Sequence, residues 1–333
     1  MTENTKAFYE YFTGAGFGPV GKDSFPLFQN FRQDSGLIDL SPTLINTWGS
    51  SWNSLYKQIA GQLCVVWFCD GNPYHQGLPF YFTVVKAESA GAAELKEAID
   101  TLYELVRNAG VSSLVIESID TAWLDLFRSA PGYDIQYGYT DDHSEYAYKT
   151  ADFLELAGTV NKNKRERIGK VLKTPGLSVR DLTRENAGEV LELERRWCEG
   201  KDCSVCGSYA GCEKKALETA ALLYDESVYK GLLLYSGGEA IGYGIGEKKD
   251  RKTAFAYFAK GLRQDYFLYV LYMMTKMYFT DIEYINLGED MGNPGIRMFK
   301  SHVGRFEYWR KYHCSYSKPF SAPVGFENGP ALS

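Results

Sequence analysis

Residues 229–287 read YKGLLLYSGGEAIGYGIGEKKDRKTAFAYFAKGLRQDYFLYVLYMMTKMYFTDIEYINL, and this stretch decides the fold. Two apolar runs joined by Gly237 and Gly238 predict a β-hairpin, and a polar turn then leads into a third strand. Tyr266–Phe279 is apolar nearly all round, which predicts a buried helix. Glu283–Leu287 predicts a further strand. Together these elements predict an α+β fold built on a mixed sheet.

The sequence on either side extends this pattern. The flanking elements are the strand Leu177–Arg180, a helix that begins at the N-cap Thr183, the helix Glu213–Tyr224, the helix Pro294–Val303 and a single last strand, Phe306–Ser315. The predicted order of the second half is therefore β-α-α-β-β-β-α-β-α-β.

The first half reads as a looser copy of the second. Its predicted helices are Leu44–Ile59, Ala93–Asn108 and Ala122–Arg128, and its predicted strands are Leu63–Cys69, Phe80–Lys86, Val111–Glu117 and Tyr133–Tyr139. The run from Val115 to Glu117 aligns with the run from Ile285 to Leu287. This long period predicts duplication of a whole domain. We expect two domains, residues 1–155 and 156–333, with the boundary near 150–158.

Composition narrows the class of protein. The chain has 333 residues, 45% of them apolar, which excludes bulk disorder. No apolar run approaches the roughly 20 residues of a membrane span. The first residues, Met1–Lys6, lack the features of a secretory signal, so the expected location is the cytoplasm. The net charge of −6 is uneven, because residues 1–150 carry 9 basic and 18 acidic side chains and residues 151–333 carry 27 and 24. A local anion site is therefore expected in the second half.

Four segments carry a resemblance to a known family. They are Leu177–Trp197, the run from Asn286 to Gly292 with Gly295, Ile296, Arg297 and Lys300 after it, the run from Leu156 to Lys173, and Thr43–Tyr56. The second half resembles the GNAT acyltransferase fold. The whole chain is similar to bacterial proteins related to the C-terminal domain of phosphatidylglycerol lysyltransferases, which carry two such domains in tandem. The resemblance implies transfer of an acyl group, with aminoacyl-tRNA as the donor and an amine or a hydroxyl as the acceptor.

A predicted strand ends in polar residues at Asn286, Glu289 and Asp290, where α/β folds place ligands. Glu289 or Asp290 could accept a proton from the acceptor, so these three residues are the catalytic candidates. Arg297 and Lys300 follow and could hold a phosphate or a carboxylate. The alternative is structural: the acidic residues cap the next helix and pair with Arg297.

Further anion-binding candidates are basic. Lys164 and Arg165 belong to the Lys- and Arg-rich segment of residues 162–173, which would suit tRNA, coenzyme A or a lipid headgroup, or would be a solvated linker helix. Lys260 begins the segment where GNAT enzymes carry a glycine-rich pyrophosphate loop. That loop is reduced here to one glycine, Gly261, and Asp265 stands where an anion would bind. Acetyl-coenzyme A is therefore a weaker donor candidate than aminoacyl-tRNA.

Glycines, cysteines and tyrosines leave alternatives open. The glycines at 242–246 indicate either strands three and four splaying to admit an acyl arm or plain strand glycines. Cys198, Cys203, Cys206 and Cys212 have spacings that could bind zinc or an iron–sulfur cluster, but a cysteine-tolerant loop is favoured, so no metal is assigned. Tyr243 and Tyr257 are candidate late general acids, and no histidine belongs to a hydrolase motif.

The leading hypothesis is an acyltransferase with its site between the domains or in the sheet cleft of the second domain. A phosphate-bearing donor and a small-molecule, peptide or lipid-headgroup acceptor are the expected partners. The rivals are a non-catalytic binding protein that retains the fold, an acetyl-coenzyme A-dependent N-acetyltransferase, and a metal or redox sensor built on the cysteines.

Overall fold

The two sheets of the protein are built from strands that lie far apart in the chain. The computed structural model describes residues 2–31, 35–68, 79–199, 213–225 and 227–318. The helices are α1 Glu3–Gly14, α2 Phe25–Phe28, α3 Pro42–Ser51, α4 Ala92–Asn108, α5 Leu124–Arg128, α6 Thr150–Leu154, α7 Lys162–Val171, α8 Ala187–Glu199, α9 Glu213–Leu222, α10 Gln264–Tyr278 and α11 Pro294–Val303. The strands are β1 Gly18–Pro19, β2 Leu55–Ile59, β3 Gln62–Phe68, β4 Phe80–Val85, β5 Leu114–Asp120, β6 Asp134–Gly138, β7 Glu145–Lys149, β8 Ser178–Asp181, β9 Tyr229–Ser236, β10 Glu239–Lys248, β11 Thr253–Gly261, β12 Tyr284–Asn286, β13 Glu307–Trp309 and β14 Lys311–Ser317.

Within the described residues each sheet has seven strands, in the orders β1-β2-β3-β4-β5-β14-β6 and β8-β9-β10-β11-β12-β7-β13. The β4–β5 and β11–β12 pairs are parallel, because a helix crosses between their strands, and the other pairs are antiparallel. The predicted α+β fold with mixed sheets is confirmed. The two sheets share one arrangement, whereas duplication as its origin stays a prediction.

The halves of the chain exchange a strand. β7 comes from the first half but inserts between β12 and β13, where Tyr148 pairs with Ile285. β14 comes from the end of the second half but inserts between β5 and β6, where Cys314 pairs with both Ile116 and Tyr137. The division into domains at residue 155 stays a prediction. A division at that point leaves β7 in the sheet of the second half and β14 in the sheet of the first half.

The predicted single strand Phe306–Ser315 is wrong, because the chain changes sheets within it. Trp309 pairs with Glu145 in the second sheet, whereas Lys311 pairs with Asp120 in the first. Arg310 is the one residue between the two strands. A continuous strand pattern in the sequence therefore does not reveal that the chain passes from the second sheet to the first.

The predicted helix Leu44–Ile59 is also wrong in its second part. The helix α3 ends at Ser51, and Asn53 adopts a left-handed backbone conformation with φ of 55°. The Ser54 N–H then donates to the Gly49 carbonyl, which closes the helix end, and the chain leaves as β2. Asparagine tolerates this conformation better than most residues, so Asn53 is the stop signal in the sequence.

The expected splay of the third and fourth strands is not observed. β10 and β11 pair from Gly242 opposite Gly261 to Lys248 opposite Ala254, with one bulge. The strands that separate are the parallel pair β11 and β12, whose pairing ends at Phe255 and Asn286. The opening of the second sheet therefore lies one strand further on than expected.

The glycines of β10 serve close packing instead. A Cβ on Gly244 would lie 2.1 Å from the Met274 sulfur on α10, and one on Gly246 would lie 2.3 Å from the Phe255 carbonyl oxygen. The strand glycines therefore let the buried helix α10 and the neighbouring strand approach β10. Within the described residues, no helix has both the length and the apolar character needed to cross a bilayer.

We expect Gly246→Ala to lower the free energy of unfolding by about 1–3 kcal/mol, because the new methyl group meets a backbone atom in the ladder. Gly188→Ala is the matched control: its position on α8 is exposed with open space around it, and the substitution should stabilise by up to about 1 kcal/mol. Urea denaturation of the three proteins measures both values. Equal stability of Gly246→Ala and the parent would contradict the packing role.

Candidate functional site

Charged side chains meet where the exchanged strands begin. Glu145 is the first residue of β7, and Lys311 is the first residue of β14. Glu289 follows β12, His143 lies in the 3₁₀ turn before β7, and Asp39 lies in the 3₁₀ turn Ile38–Leu40. We call these five residues the inter-sheet cluster.

Lys311 is the centre of the cluster. Its ammonium donates to the Asp39 carboxylate and, at 2.6 Å, to Oε2 of Glu289. Its side chain is 6% exposed, whereas those of Asp39 and Glu289 are 32% and 21% exposed, so the cluster reaches solvent through its acids. Although burial lowers the pKa of Lys311, the two carboxylates raise it well above its usual value.

Glu289 carries a full negative charge at neutral pH. Burial raises its pKa, but the Lys311 ammonium and the hydrogen bond with His143 outweigh burial and lower the pKa to about 2. Nδ1 of His143 lies 3.0 Å from Oε2 of Glu289. Because this carboxylate is ionised, Nδ1 keeps the proton and donates a hydrogen bond to Glu289, which fixes the tautomer of the ring.

This contact also makes His143 more basic. Burial lowers the pKa of His143, but the hydrogen bond to Glu289 and its charge raise the pKa above the usual value. The ring is about one quarter exposed. A partly accessible imidazole oriented by a carboxylate is the arrangement expected of a general base.

Glu145 is the buried member of the cluster. Its Oε2 accepts hydrogen bonds from the Ile38 N–H at 2.8 Å and from Nδ2 of Asn286 at 2.6 Å, and it has no exposed surface. Burial, followed by the nearby charge of Asp39, raises its pKa to about 8. Glu145 is therefore largely protonated at neutral pH and adds little negative charge to the cluster.

The opening of the second sheet is occupied by the chain itself. Nδ2 of Asn286 also donates to the Gly36 carbonyl, and the Ser41 hydroxyl lies 2.6 Å from the Tyr257 hydroxyl. Residues 35–41 therefore fill the space between β11 and β12. The inter-sheet cluster includes Asp39 from this segment. Whether the site lies between the domains or in the cleft of the second sheet stays a prediction.

The turn that carries Glu289 is held rigidly. Gly288 and Met291 have φ of 69° and 53°. The Lys300 ammonium donates to three successive carbonyls, those of Leu287, Gly288 and Glu289, at 2.6–2.8 Å. Burial lowers the pKa of Lys300 to about 8. Lys300 is thus engaged with backbone oxygens, and the geometry does not support its predicted role as an anion clamp.

Asp290 has a structural environment. Its carboxylate accepts two hydrogen bonds from Arg297 at 2.9 Å, one from the Tyr146 hydroxyl at 2.6 Å and one from the Gly292 N–H at 2.8 Å. Burial raises its pKa, but the hydrogen bonds from Arg297 and Tyr146 prevail and lower it. The structure therefore favours pairing of Asp290 with Arg297 over a role as general base. The predicted acidic cap of α11 is not observed, because the N-cap residue is Asn293.

The other anion candidates are also engaged by this chain. Nζ of Lys164 donates to the Asp152 and Phe153 carbonyls, and Nη1 of Arg165 donates to the Leu156 and Gly158 carbonyls. Lys260 lies between two carboxylates, 2.7 Å from Glu194 and 2.8 Å from Glu213, with its ammonium 3.8 Å from the centre of the Trp197 ring. Lys164 and Lys260 are 5% and 8% exposed, so neither presents an anion site at the surface.

The predicted cysteine cluster falls mostly outside the described residues, which exclude Cys203, Cys206 and Cys212. Cys198 lies near the end of α8, with its sulfur 3.6 Å from Oε1 of Glu194. Among the residues that the structure describes, no three His, Cys, Asp or Glu side chains are grouped to hold a metal ion. Tyr243 is fully buried, donates to Glu194, and burial raises its pKa well above its usual value.

Sequence reasoning missed Asp39, His143, Glu145 and Lys311. Each is distant in sequence from Glu289, except Lys311, whose strand was assigned to the wrong sheet. The cluster forms because β7 and β14 exchange, and no local pattern marks that exchange. The one available signal is the turn at residues 141–143, which places a histidine and two acids shortly before the apolar run Tyr146–Tyr148.

The comparisons agree with this fold. The sequence matches the family described as "Phosphatidylglycerol lysyltransferase, C-terminal" over residues 85–300. No curated protein matches it. A conserved protein of unknown function from Bacteroides thetaiotaomicron is similar in structure, with a TM-score of 0.74, 18% identity, and coverage of 91% of this chain and 99% of that chain.

Two further structures are similar at lower identity. L-PGS from Bacillus licheniformis has a TM-score of 0.59 at 13% identity and covers 92% of this chain and 95% of its own. FemX has a TM-score of 0.53 at 10% identity and covers 87% of this chain and 94% of its own. These likenesses show that the chain shares its fold with these proteins.

We expect the Glu145 carboxyl to make stability depend on pH. Burial raises its pKa from the usual 4.5 to about 8 in the folded protein, so its contribution to stability is full below pH 4.5 and is lost as the pH rises through about 8. The parent should therefore lose stability relative to Glu145→Gln across that range, as measured by urea denaturation at several pH values. Glu97→Gln, at an exposed position, is the control, and parallel curves for Glu145→Gln and the parent would refute the shift.

We expect Asp290→Asn to lower the free energy of unfolding by about 1–3 kcal/mol, because the amide NH₂ would face the donors of Arg297 and Tyr146. Asp141→Asn, at an exposed position, should have no effect. Thermal and urea denaturation measure both. Unchanged stability with loss of transfer activity would restore Asp290 as a catalytic residue.

Proposed function

The chain belongs to the phosphatidylglycerol lysyltransferase C-terminal family, and on that premise we propose that it transfers an acyl group, specifically an aminoacyl group from charged tRNA, to an amine or a hydroxyl. The family is named for lysyl transfer, which makes acyl or aminoacyl transfer its family-level function. The donor and the acceptor are part of the proposal.

One observation carries the catalytic part of the proposal: the contact of His143 with Glu289 beside Lys311. In this arrangement His143 is the general base, Glu289 orients its ring and stabilises the imidazolium, and Lys311 holds Glu289 in place. Glu289 thus keeps a functional role, but as the partner of the base. Asn286 and Asp290 support the surrounding turns.

The chemical step balances without a cofactor. The acceptor's nitrogen or oxygen attacks the carbonyl carbon of the aminoacyl ester, and Nε2 of His143 takes the proton that the acceptor loses. The ester C–O bond then breaks, and the imidazolium returns the proton to the leaving tRNA hydroxyl. General base help of this kind contributes about 10²–10⁴-fold, and positioning of the two substrates supplies the rest.

Two observations support aminoacyl-tRNA over acetyl-coenzyme A. The expected pyrophosphate position is the N-terminus of α10, and there Nε of Arg167 donates at 2.7 Å to Asp265 and Nη2 donates to the Gln264 carbonyl. An internal ion pair thus occupies the end of the helix where coenzyme A enzymes bind their anion. The family resemblance supports the same donor. A cytoplasmic location stays a prediction.

A non-catalytic binding protein is the second candidate. It is favoured by the internal engagement of the predicted anion residues, above all the pairing of Lys260 with Glu194 and Glu213. Such a protein would bind the donor or the acceptor without transferring a group.

A label-transfer assay tests the proposal. Purified protein is mixed with radiolabelled aminoacyl-tRNAs and a cell extract, and label that enters lipid, peptide or small-molecule fractions is counted. We expect transfer by the parent and a loss of about 10²–10⁴-fold in His143→Gln and in Glu289→Gln. The rate of the parent should rise with pH as His143 loses its proton, and this dependence should disappear in His143→Gln.

The matched control is His302→Gln, which changes an exposed histidine on α11 and should retain full activity. Transfer that survives in His143→Gln would refute the assigned base. No transfer by the parent, with acyl-coenzyme A also inert in the same assay, would refute the transferase and leave the binding protein.

A further inference from the structure

The contact between His143 and Glu289 joins two separate parts of the chain. His143 ends the 3₁₀ turn Asp141–His143, and Glu289 lies 146 residues further on, in the turn between β12 and α11. Neither turn by itself can set the distance between the imidazole ring and the carboxylate. The contacts that hold the two turns together therefore decide whether the base meets its partner.

Arg297 on α11 binds one carboxylate from each of the two turns. Its Nη2 donates at 2.5 Å to Oδ1 of Asp142, the residue before His143, and at 2.9 Å to Oδ1 of Asp290, the residue after Glu289. Its Nε donates to the other carboxylate oxygen of Asp290, also at 2.9 Å. The guanidinium thus bridges the sequence neighbours of the base and of its partner.

The guanidinium is fixed on the side of Asp290. The Asp290 side chain is fully buried and also accepts hydrogen bonds from the Tyr146 hydroxyl and the Gly292 N–H. The Asp142 side chain lies nearer the surface and is 45% exposed. A two-bond pair of arginine and carboxylate has a defined geometry. The buried acid therefore positions Arg297, and Arg297 positions the exposed acid.

A backbone hydrogen bond holds the same junction through the main chain. The Met291 N–H donates to the Asp142 carbonyl at 2.9 Å, and Met291 has a left-handed backbone conformation with φ of 53°. Asp142 is therefore held at two points, its carbonyl and its carboxylate. A residue held in this way has little freedom to rotate, so the direction in which the His143 side chain leaves the turn is restricted.

We infer that Arg297 is a positioning residue of the proposed base, because through Asp142 it holds the His143 ring against Glu289. The sequence offered two roles for Arg297, an anion clamp and a partner of the acidic residues at the strand end, and neither includes the contact with Asp142. In this role Arg297 contacts neither a substrate nor a reacting atom. The inference rests on the proposed function for its effect on transfer, whereas the position of the ring is measurable without a substrate.

Other charged groups also act on the His143 ring, and they define the control that the test needs. Burial and the Lys311 ammonium lower its pKa, whereas Glu289 and, from β5, Glu117 raise it. Loss of the Glu289 contact should therefore lower the pKa toward the usual value of about 6.5. Removal of any nearby carboxylate acts in the same direction, so the control must remove charge without removing the contact with Arg297.

Three substitutions in the turn separate contact from charge. Asp142→Ala removes the contact with Arg297 but leaves the pair of Arg297 and Asp290. Asp142→Asn removes the charge but keeps an oxygen that the guanidinium can bind. Asp141→Ala removes the same charge from the exposed neighbouring position. Circular dichroism checks that the variants are folded. Nitrogen NMR of the imidazole rings in the full chain measures tautomer and pKa, and His143→Gln identifies the signals of His143.

We expect the parent, Asp142→Asn and Asp141→Ala to keep the proton on Nδ1 of His143. Asp142→Ala should show a mixture of tautomers and a lower pKa. In the label-transfer assay its kcat should fall about 10–100-fold, with KM for aminoacyl-tRNA within about twofold of the parent, because a displaced base weakens the chemical step and leaves donor binding unchanged. The rise of its rate with pH should begin at lower pH.

An unchanged tautomer and pKa in Asp142→Ala would overturn the inference. So would an equal change in Asp141→Ala or in Asp142→Asn, because loss of charge alone would then explain the effect. Absence of transfer by the parent would refute the proposed function, and the NMR result would still decide whether Arg297 and Asp142 position the ring.

Discussion

The exchange of β7 and β14 is the constraint on which the rest of the structure depends. Each strand fills the gap between two strands of the other half, β12 and β13 in one case and β5 and β6 in the other. Without it, each sheet would present unpaired backbone groups at two internal edges, which is costly when the edges are buried. The exchange therefore binds the halves through main-chain hydrogen bonds in addition to side-chain packing.

The inter-sheet cluster follows from this constraint. Glu145 and Lys311 are the first residues of the two exchanged strands. They lie close together because both strands begin where the chain passes from one sheet to the other. Buried charges are costly unless they are paired. The Lys311 ammonium is paired with Asp39 and Glu289. The Glu145 carboxyl instead has a raised pKa and carries little charge at neutral pH. The result is a charged, partly accessible site whose parts come from both halves of the chain.

Local sequence patterns predicted much of the fold but little of the site. The apolar helix α10, the hairpin of β9 and β10 and the helix α11 follow from hydrophobic periodicity and glycine positions, which act over a few residues. The assignment of β14 failed because strand character does not specify the partner sheet. β7 was not predicted, because its five residues lie between the turn at 141–143 and the predicted boundary at 150–158. Glu289 and Asp290 were found at a strand end, but their different roles depend on Lys311, His143 and Arg297, which only the tertiary structure brings to them.

The late position of β14 in the chain has a consequence for biosynthesis. Residues 114–138 supply β5 and β6 early, but the strand that must lie between them is residues 311–317. During translation the position between β5 and β6 stays unfilled while more than half of the chain is made. Contacts of such large sequence separation form slowly, and an exposed slot between strands attracts other chains. We therefore expect the first sheet to complete its folding only after residues 311–317 have been made, and to depend on chaperones that shield strand edges in the interval.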